Sequence, residues 1–202
     1  GKCFVGLQDK RELAHGYYDL SVPRPSPQTH AVDWYLAVLP ALGVPVHQNF
    51  EWLPQREAIA KDVTARWNLN GQPTVALLPG ARWDNKRWPA SHFRELVARL
   101  SQTQRASRFV ILGGKSDSGL AEEIASGAPD ATTDLTGCTS LPQMIEVLRQ
   151  CRVVVTNDTG PMHVAAALRK PVIGLFGPTN PARTGPYGQT EEALRSEEHT
   201  SE

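Results

Sequence analysis

Along most of the chain, short runs of aliphatic and β-branched residues alternate with stretches whose apolar positions recur every three or four residues. From Pro73 onward, Thr74 to Leu78 (TVALL), Phe109 to Leu112 (FVIL), Val153 to Thr156 (VVVT) and Val172 to Phe176 (VIGLF) predict strands, with a weaker one at Thr133 to Thr136. Between them Phe93, Leu96, Val97 and Leu100 fall at i, i+3, i+4 and i+7, as do Leu141, Met144, Ile145 and Leu148, which predicts two amphipathic helices. Ser140 with Gln143 three residues on is a capping-box start for the second. Strands that are apolar throughout, each followed by a helix, predict an α/β fold: a doubly wound parallel sheet covered on both faces.

The first 46 residues are less regular. Cys3 to Gly6 predicts a strand, and Val32, Tyr35, Leu36 and Leu39 predict one helical face, stopped by Gly43 and Pro45. A polar, proline-rich connection (VPRPSPQTH) runs between them. One strand and one helix cannot bury a core of their own. Residues 1–46 are therefore expected to be the end of a domain that begins outside this chain, leaving an apolar patch at Val32, Tyr35, Leu36 and Leu39. Residues 47–72, with a helix around Arg56 to Trp67, read as a linker, and 73–194 as the main α/β unit, itself cut short at its C-terminus. The polar string 195–202 (RSEEHTSE) resembles the translation of a sequencing-adapter oligonucleotide and reads as a non-native tail.

Composition narrows the function classes. The chain has 202 residues, 40% hydrophobic and 21% charged, which excludes disordered, collagen-like and membrane-spanning classes. Lys+Arg 21 against Asp+Glu 21 gives no global field toward nucleic acid or anionic lipid, so no nucleic-acid partner is expected. Cys3, Cys138 and Cys151 lack Cys-x-x-Cys spacing and read as reduced thiols of a cytoplasmic protein. The six histidines are scattered singly and no Asp-x-Asp pair is present, so no metal site is expected. Neither a G-x-S-x-G elbow nor a Walker A pattern occurs, and Gly113-Gly114 is too short for a dinucleotide fingerprint.

In a doubly wound sheet ligands sit beyond the carboxyl ends of the strands. Four candidate loops follow those ends: Pro79 to Pro89 (PGARWDNKRWP), Gly113 to Asp117 (GGKSD), Asn157 to His163 (NDTGPMH) and Gly177 to Pro181 (GPTNP). Thr159 and Gly160 precede a helix predicted over His163 to Leu168, so their amides and the helix dipole suit a phosphate. The alternative at this level is that Asp158 or Thr159 is simply an N-cap and His163 a satisfied residue of the buried face. Arg82 and Lys86 offer cations at the same edge, where two of them neutralise a pyrophosphate without a divalent metal; the alternative is that both are solvated. Asp117 either accepts bonds from ribose hydroxyls or caps the helix that follows. The residues alone point to a metal-independent binder of a phosphorylated, nucleotide-containing ligand.

PGARWDNKRWP, TNDTGPMHVAAAL and KPVIGLFGPTNPARTGPYG, in this order, resemble glycosyltransferase family 9, the ADP-heptose:lipopolysaccharide heptosyltransferases; upstream, RELAHGYYDL and HAVDWYLAVLPALGVP are similar to it too. The resemblance implies a GT-B architecture of two Rossmann-like domains, with 73–194 binding the nucleotide sugar. It places Lys86 and Arg82 at the donor phosphates, the Thr159 and Gly160 amides at the diphosphate, and Asp158 and His163 near the sugar. Asp117 goes to the ribose, with Ser116 as the alternative, and Thr139 lies by the adenine. The implied reaction is inverting and needs no cofactor beyond the nucleotide sugar, most simply ADP-heptose. The implied acceptor is a lipid A/Kdo-type or heptosylated core. The implied place is the cytoplasm, at the inner face of the inner membrane, with any peripheral membrane contact made by the N-terminal domain. The family's general base belongs to an N-terminal Gly-Asp turn not found in this sequence, so no catalytic base is assigned, and Glu12 is the fallback. Two alternatives are the same family acting on a different nucleotide sugar, and a non-catalytic nucleotide-sugar-binding module.

Overall fold

The computed structural model describes residues 3–9, 16–47, 53–69, 73–103 and 108–196. A small parallel pair, β1 (Val5–Leu7) and β2 (Leu20–Val22), opens the chain and is followed by α1 (Ala31–Leu36) and α2 (Val38–Ala41). Then come α3 (Glu57–Trp67), β3 (Thr74–Leu78), α4 (Ala90–Ser101), β4 (Arg108–Ile111), α5 (Ser118–Ala125) and β5 (Thr132–Asp134). The remainder is α6 (Leu141–Gln150), β6 (Val153–Asn157), α7 (Gly160–Ala167), β7 (Val172–Phe176), α8 (Pro181–Thr184) and β8 (Ala193–Arg195).

Strands β3 to β8 form one parallel sheet in the order β5-β4-β3-β6-β7-β8. The chain winds outward from β3 in one direction and from β6 in the other, the doubly wound order with its switch point between β3 and β6. Alternate residues of a strand point to opposite faces, and each face has its own core. Val75, Leu77, Phe109 and Ile111 meet Phe93 and Val97 of α4 and Ala121 and Ile124 of α5. Ala76, Leu78, Val110, Leu112 and Val154 meet Val63 of α3, Val147 and Leu148 of α6, and Met162 and Ala165 of α7. The expected α/β class and covered faces are borne out.

The structure corrects several elements. The first strand begins at Val5 rather than Cys3, and β2, which the sequence pattern did not show, ends on Val22, the first residue of the stretch read as a polar connection. The helix predicted through Val32 and Leu39 breaks after Leu36. Pro40 has no N–H for the Leu36 carbonyl, and the chain restarts as α2 before Gly43 closes it with φ +73°. Its buried residue is Trp34, whose indole donates to the Val22 carbonyl at 3.2 Å, while Tyr35 is 63% exposed. Of the four residues expected to form an uncovered patch only Tyr35 is exposed; Val32, Leu36 and Leu39 are half-buried.

Helix α6 carries the predicted capping box, with Gln143 Oε1 accepting from Ser140 N at 2.9 Å. Its buried face is rotated, however, to Glu146, Val147 and Leu148, and Leu141 is 62% exposed. Glu146 goes inward because it is paired: it accepts from Arg149 Nε at 3.1 Å and from Arg56 N, just before α3, at 3.0 Å. Helix α7 starts at Gly160, three residues earlier than expected. Arg195, the first residue of the expected tail, pairs with Phe176 in the edge strand β8. Cys3, Cys138 and Cys151 are free thiols. Glu12 and part of the expected linker lie outside the described residues.

Candidate functional site

The loops beyond β3, β4, β5 and β6 enclose a cleft of about 610 Å³ that straddles the switch point. Apolar lining comes from Leu112, Leu141 and Met144 among others, and polar lining from Arg82, Arg87, Asp117, Thr139 and Thr159. An apolar wall that faces convergent polar groups is what a ligand with an apolar and a charged end requires.

Each loop is held by bonds that the sequence did not advertise. Asn157, fully buried at the end of β6, donates from Nδ2 to the Pro79 carbonyl at 2.7 Å and accepts from Trp88 N at 3.0 Å, so one side chain clamps both ends of the 79–89 loop. Inside that loop the Arg87 guanidinium donates twice to the Ala81 carbonyl, at 3.0 and 2.8 Å. Arg87 therefore braces the loop and lines the cleft. Sequence reading passed over both residues because amides and guanidinium groups that bond backbone carry no spacing signature.

Asp117 sits where the β4 loop meets the β3 loop. Its Oδ2 accepts from Gly114 N at 2.8 Å and is lodged against Gly80 and Gly113, where a Cβ would come within 2.6 and 2.7 Å of it. A side chain at either position would displace the carboxylate from this seat. Asp117 makes no side-chain capping bond to α5; its carboxylate instead closes the short turn Lys115–Asp117 that leads into that helix, through Gly114 N.

At the start of α7 the N-cap is Thr159, in extended conformation and without a side-chain capping bond. Asp158 is turned aside: its Oδ2 accepts from Lys86 Nζ at 2.6 Å and from Thr179 Oγ1 at 2.7 Å, tying the loops after β3, β6 and β7 together. The pair is mostly shielded, with side-chain exposures of 23% for Lys86 and 9% for Asp158. Arg82 and Lys86 are consequently parted. Arg82 lines the cleft and lies over the Trp83 ring, while Lys86 points to Asp158.

His163 is not a satisfied residue of the buried face. It is exposed on α7 and lines a second cavity of about 650 Å³ with His30, Tyr35, Leu53 and Tyr187. Its imidazole is held below the usual range, first by desolvation and then by His30, against the opposing pull of the Asp158 carboxylate. Of the eight candidate residues, Arg82, Asp117, Thr139 and Thr159 line the main cleft; Lys86 and Asp158 form the ion pair at its edge; Gly160 opens α7; and His163 faces the other cavity. Among the described residues no group of three or more His, Cys, Asp or Glu lies together in a metal-binding arrangement, and no helix is long and apolar enough to cross a membrane.

Strand order, two covered faces and a loop-built cleft at the switch point define a Rossmann-like α/β domain with its ligand edge intact. The sequence model of Glycosyltransferase family 9 (heptosyltransferase) matches residues 2–202, and the chain belongs to that family. Lipooligosaccharide heptosyltransferase 2 of Haemophilus influenzae is 33% identical over 197 residues, covering 95% of this chain and 50% of that protein. A solved structure of E. coli ADP-heptose lps heptosyltransferase II has a TM-score of 0.73 at 26% identity, covering 95% of this chain and 60% of the other. E. coli heptosyltransferase WaaC with ADP has a TM-score of 0.69 at 28% identity, over 95% and 58%. The expected GT-B class is borne out, and the chain spans about half the length of the curated relatives it matches.

Proposed function

We propose that this chain, through residues 73–194, is the donor-binding part of an inverting, metal-independent glycosyltransferase. It moves a heptose from ADP-heptose to a lipid A/Kdo-type or heptosylated lipopolysaccharide core, in the cytoplasm at the inner face of the inner membrane. The relatives' names support the reaction class, since both the Haemophilus protein and the E. coli structures are heptosyltransferases. The observation that carries the reading is the cleft itself, which brings an apolar wall and polar, cationic residues together at the switch point, as a nucleoside diphosphate requires.

In this reading adenine lies against Leu112, Leu141 and Met144 beside Thr139, and the ribose hydroxyls meet Asp117. The diphosphate reaches the Thr159 and Gly160 amides, with Arg82 on one side and Lys86 on the other, and Asp158 and His163 stand beyond it toward the sugar. Gly160 favours this arrangement. Its φ is not positive and a Cβ there would meet nothing within 4 Å, so the fold does not need glycine, whereas a phosphate pressed against the backbone does.

The reaction follows from that placement. An acceptor hydroxyl attacks the anomeric carbon as the bond from that carbon to the diphosphate oxygen breaks, inverting the centre, and the hydroxyl proton passes to a base outside the described site. Negative charge growing on the departing diphosphate is offset by Arg82, Lys86 and the α7 N-terminus, which take the part a divalent cation plays elsewhere. Calorimetric titration of the full chain with ADP and UDP in EDTA tests this. ADP is expected to bind, UDP to bind more weakly, and Lys86→Ala to cost about tenfold, the worth of one charge-assisted bond. Binding that needs added Mg²⁺, or a preference for UDP, would overturn the proposal.

A further inference from the structure

Away from the cleft, α1 grips the loop after β7 at two points. His30 is the buried N-cap of α1, and its Nδ1 accepts from Val32 N at 3.2 Å. The ring proton therefore resides on Nε2, which donates to the Gly185 carbonyl at 3.1 Å. Farther along α1, Asp33 Oδ1 accepts the Tyr187 phenol at 2.5 Å, and the Tyr187 ring rests against the His30 imidazole with centroids 5.1 Å apart. The 650 Å³ cavity is bordered by the same side of α1 and by α7, and these two bonds fasten α1 to the loop at its rim.

The gripped stretch is the far end of a short, internally bonded loop. Gly185 N donates to the Pro181 carbonyl at 2.7 Å, in a turn so tight that a Cβ at 185 would stand 2.5 Å from that oxygen. Thr184 N returns to the Asn180 carbonyl at 3.2 Å, and Asn180 Oδ1 caps α8 through Ala182 N. At the near end Thr179 Oγ1 reaches Asp158 Oδ2, the oxygen that also holds Lys86.

We infer that His30 and Asp33 are positioning residues for the nucleotide-sugar site: through Gly185, Tyr187 and the 179–187 loop they hold the Thr179 hydroxyl on Asp158, and Asp158 in turn aims Lys86. The inference rests on the reading of that site given above. Neither residue lines the main cleft; His30 borders the second cavity, as His163 does.

His30→Asn separates this role from folding, because asparagine keeps an N-cap acceptor for Val32 N but is too short for the Gly185 carbonyl. Tyr187→Phe removes only the phenol. Titration of the full chain with ADP is expected to weaken about fivefold in each, roughly one net hydrogen bond. Thr179→Val should weaken binding similarly, and His30→Asn combined with Thr179→Val should be no worse than Thr179→Val alone, since both act through one bond. Multiplying losses in the double variant, or unaltered affinity in both His30→Asn and Tyr187→Phe, would overturn the inference. Hydrogen exchange at the Thr184 and Gly185 amides gives a readout without nucleotide: it should quicken in His30→Asn, and unaltered exchange would also overturn it. If the unsubstituted chain binds no ADP, the functional proposal fails, and the exchange result alone decides whether α1 sets the loop.

Discussion

Removing the carboxylate of Glu146 should cost this fold about 3 kcal/mol. The group is 1% exposed and makes two bonds, one from Arg149 Nε at 3.1 Å and one from Arg56 N at 3.0 Å. In Glu146→Ala the Arg56 amide loses its acceptor, which costs about 1 kcal/mol. Arg149 loses its counter-charge, for which a fully buried pair gives about 3 to 5 kcal/mol. A value below that range, about 2 kcal/mol, applies here because Arg149 keeps its bond to the Leu53 carbonyl at 2.6 Å and is 22% exposed, so part of its charge is solvated. Glu146→Gln retains an acceptor for Arg56 N and should lose only the second contribution. The assay is urea denaturation followed by circular dichroism, with unchanged m-values as the condition for comparing midpoints. A loss below about 1 kcal/mol in Glu146→Ala, or equal losses in the two variants, would refute the claim that α6 turns this acid inward to hold the chain entering α3.

Asn157→Ala should destabilise by about 2 to 3 kcal/mol, because the Pro79 carbonyl and Trp88 amide lose their buried partner, and should weaken ADP binding by releasing the 79–89 loop; an unchanged melting temperature with unchanged affinity would contradict it. His163, held below its ordinary value of 6.5, resists protonation in the folded chain while the unfolded chain accepts the proton. Its contribution to stability is therefore intact above pH 6.5 and is lost as pH falls from there toward the folded value, so His163→Gln should flatten a stability profile taken between about pH 5 and 7.5. At pH 8 a thiol reagent should label Cys3 and Cys138 promptly and spare Cys151, whose thiol burial pushes up to about 12, until denaturant is added; three prompt labels would contradict that burial.

What could be read from the sequence was what periodicity and loop chemistry encode. Five-residue apolar runs became β3 and β7 with their bounds as read, and Ser140 with Gln143 started α6 as expected. Four of the candidate ligand residues line one cleft because strand ends of a parallel sheet gather their loops on one edge. The edge strands β2 and β8 escaped because each is only three residues set among polar neighbours, and the phase of α6 differs from its apolar pattern because a paired glutamate behaves as a core residue. The pairing of Lys86 with Asp158, the Asn157 clamp and the His30 contact join residues 69 to 155 positions apart. Such contacts are properties of the fold and leave no local trace in the chain.

The central claim is the location of the nucleotide. Amide chemical-shift mapping of the isotopically labelled full chain, titrated with ADP in EDTA, tests it most directly. The account predicts shifts at the amides of 80–82, 113–117, 139–141 and 159–160, the loops that enclose the main cleft. Shifts confined to α1 and the C-terminal half of α7, around the second cavity, would contradict it, as would a folded chain whose amides do not respond.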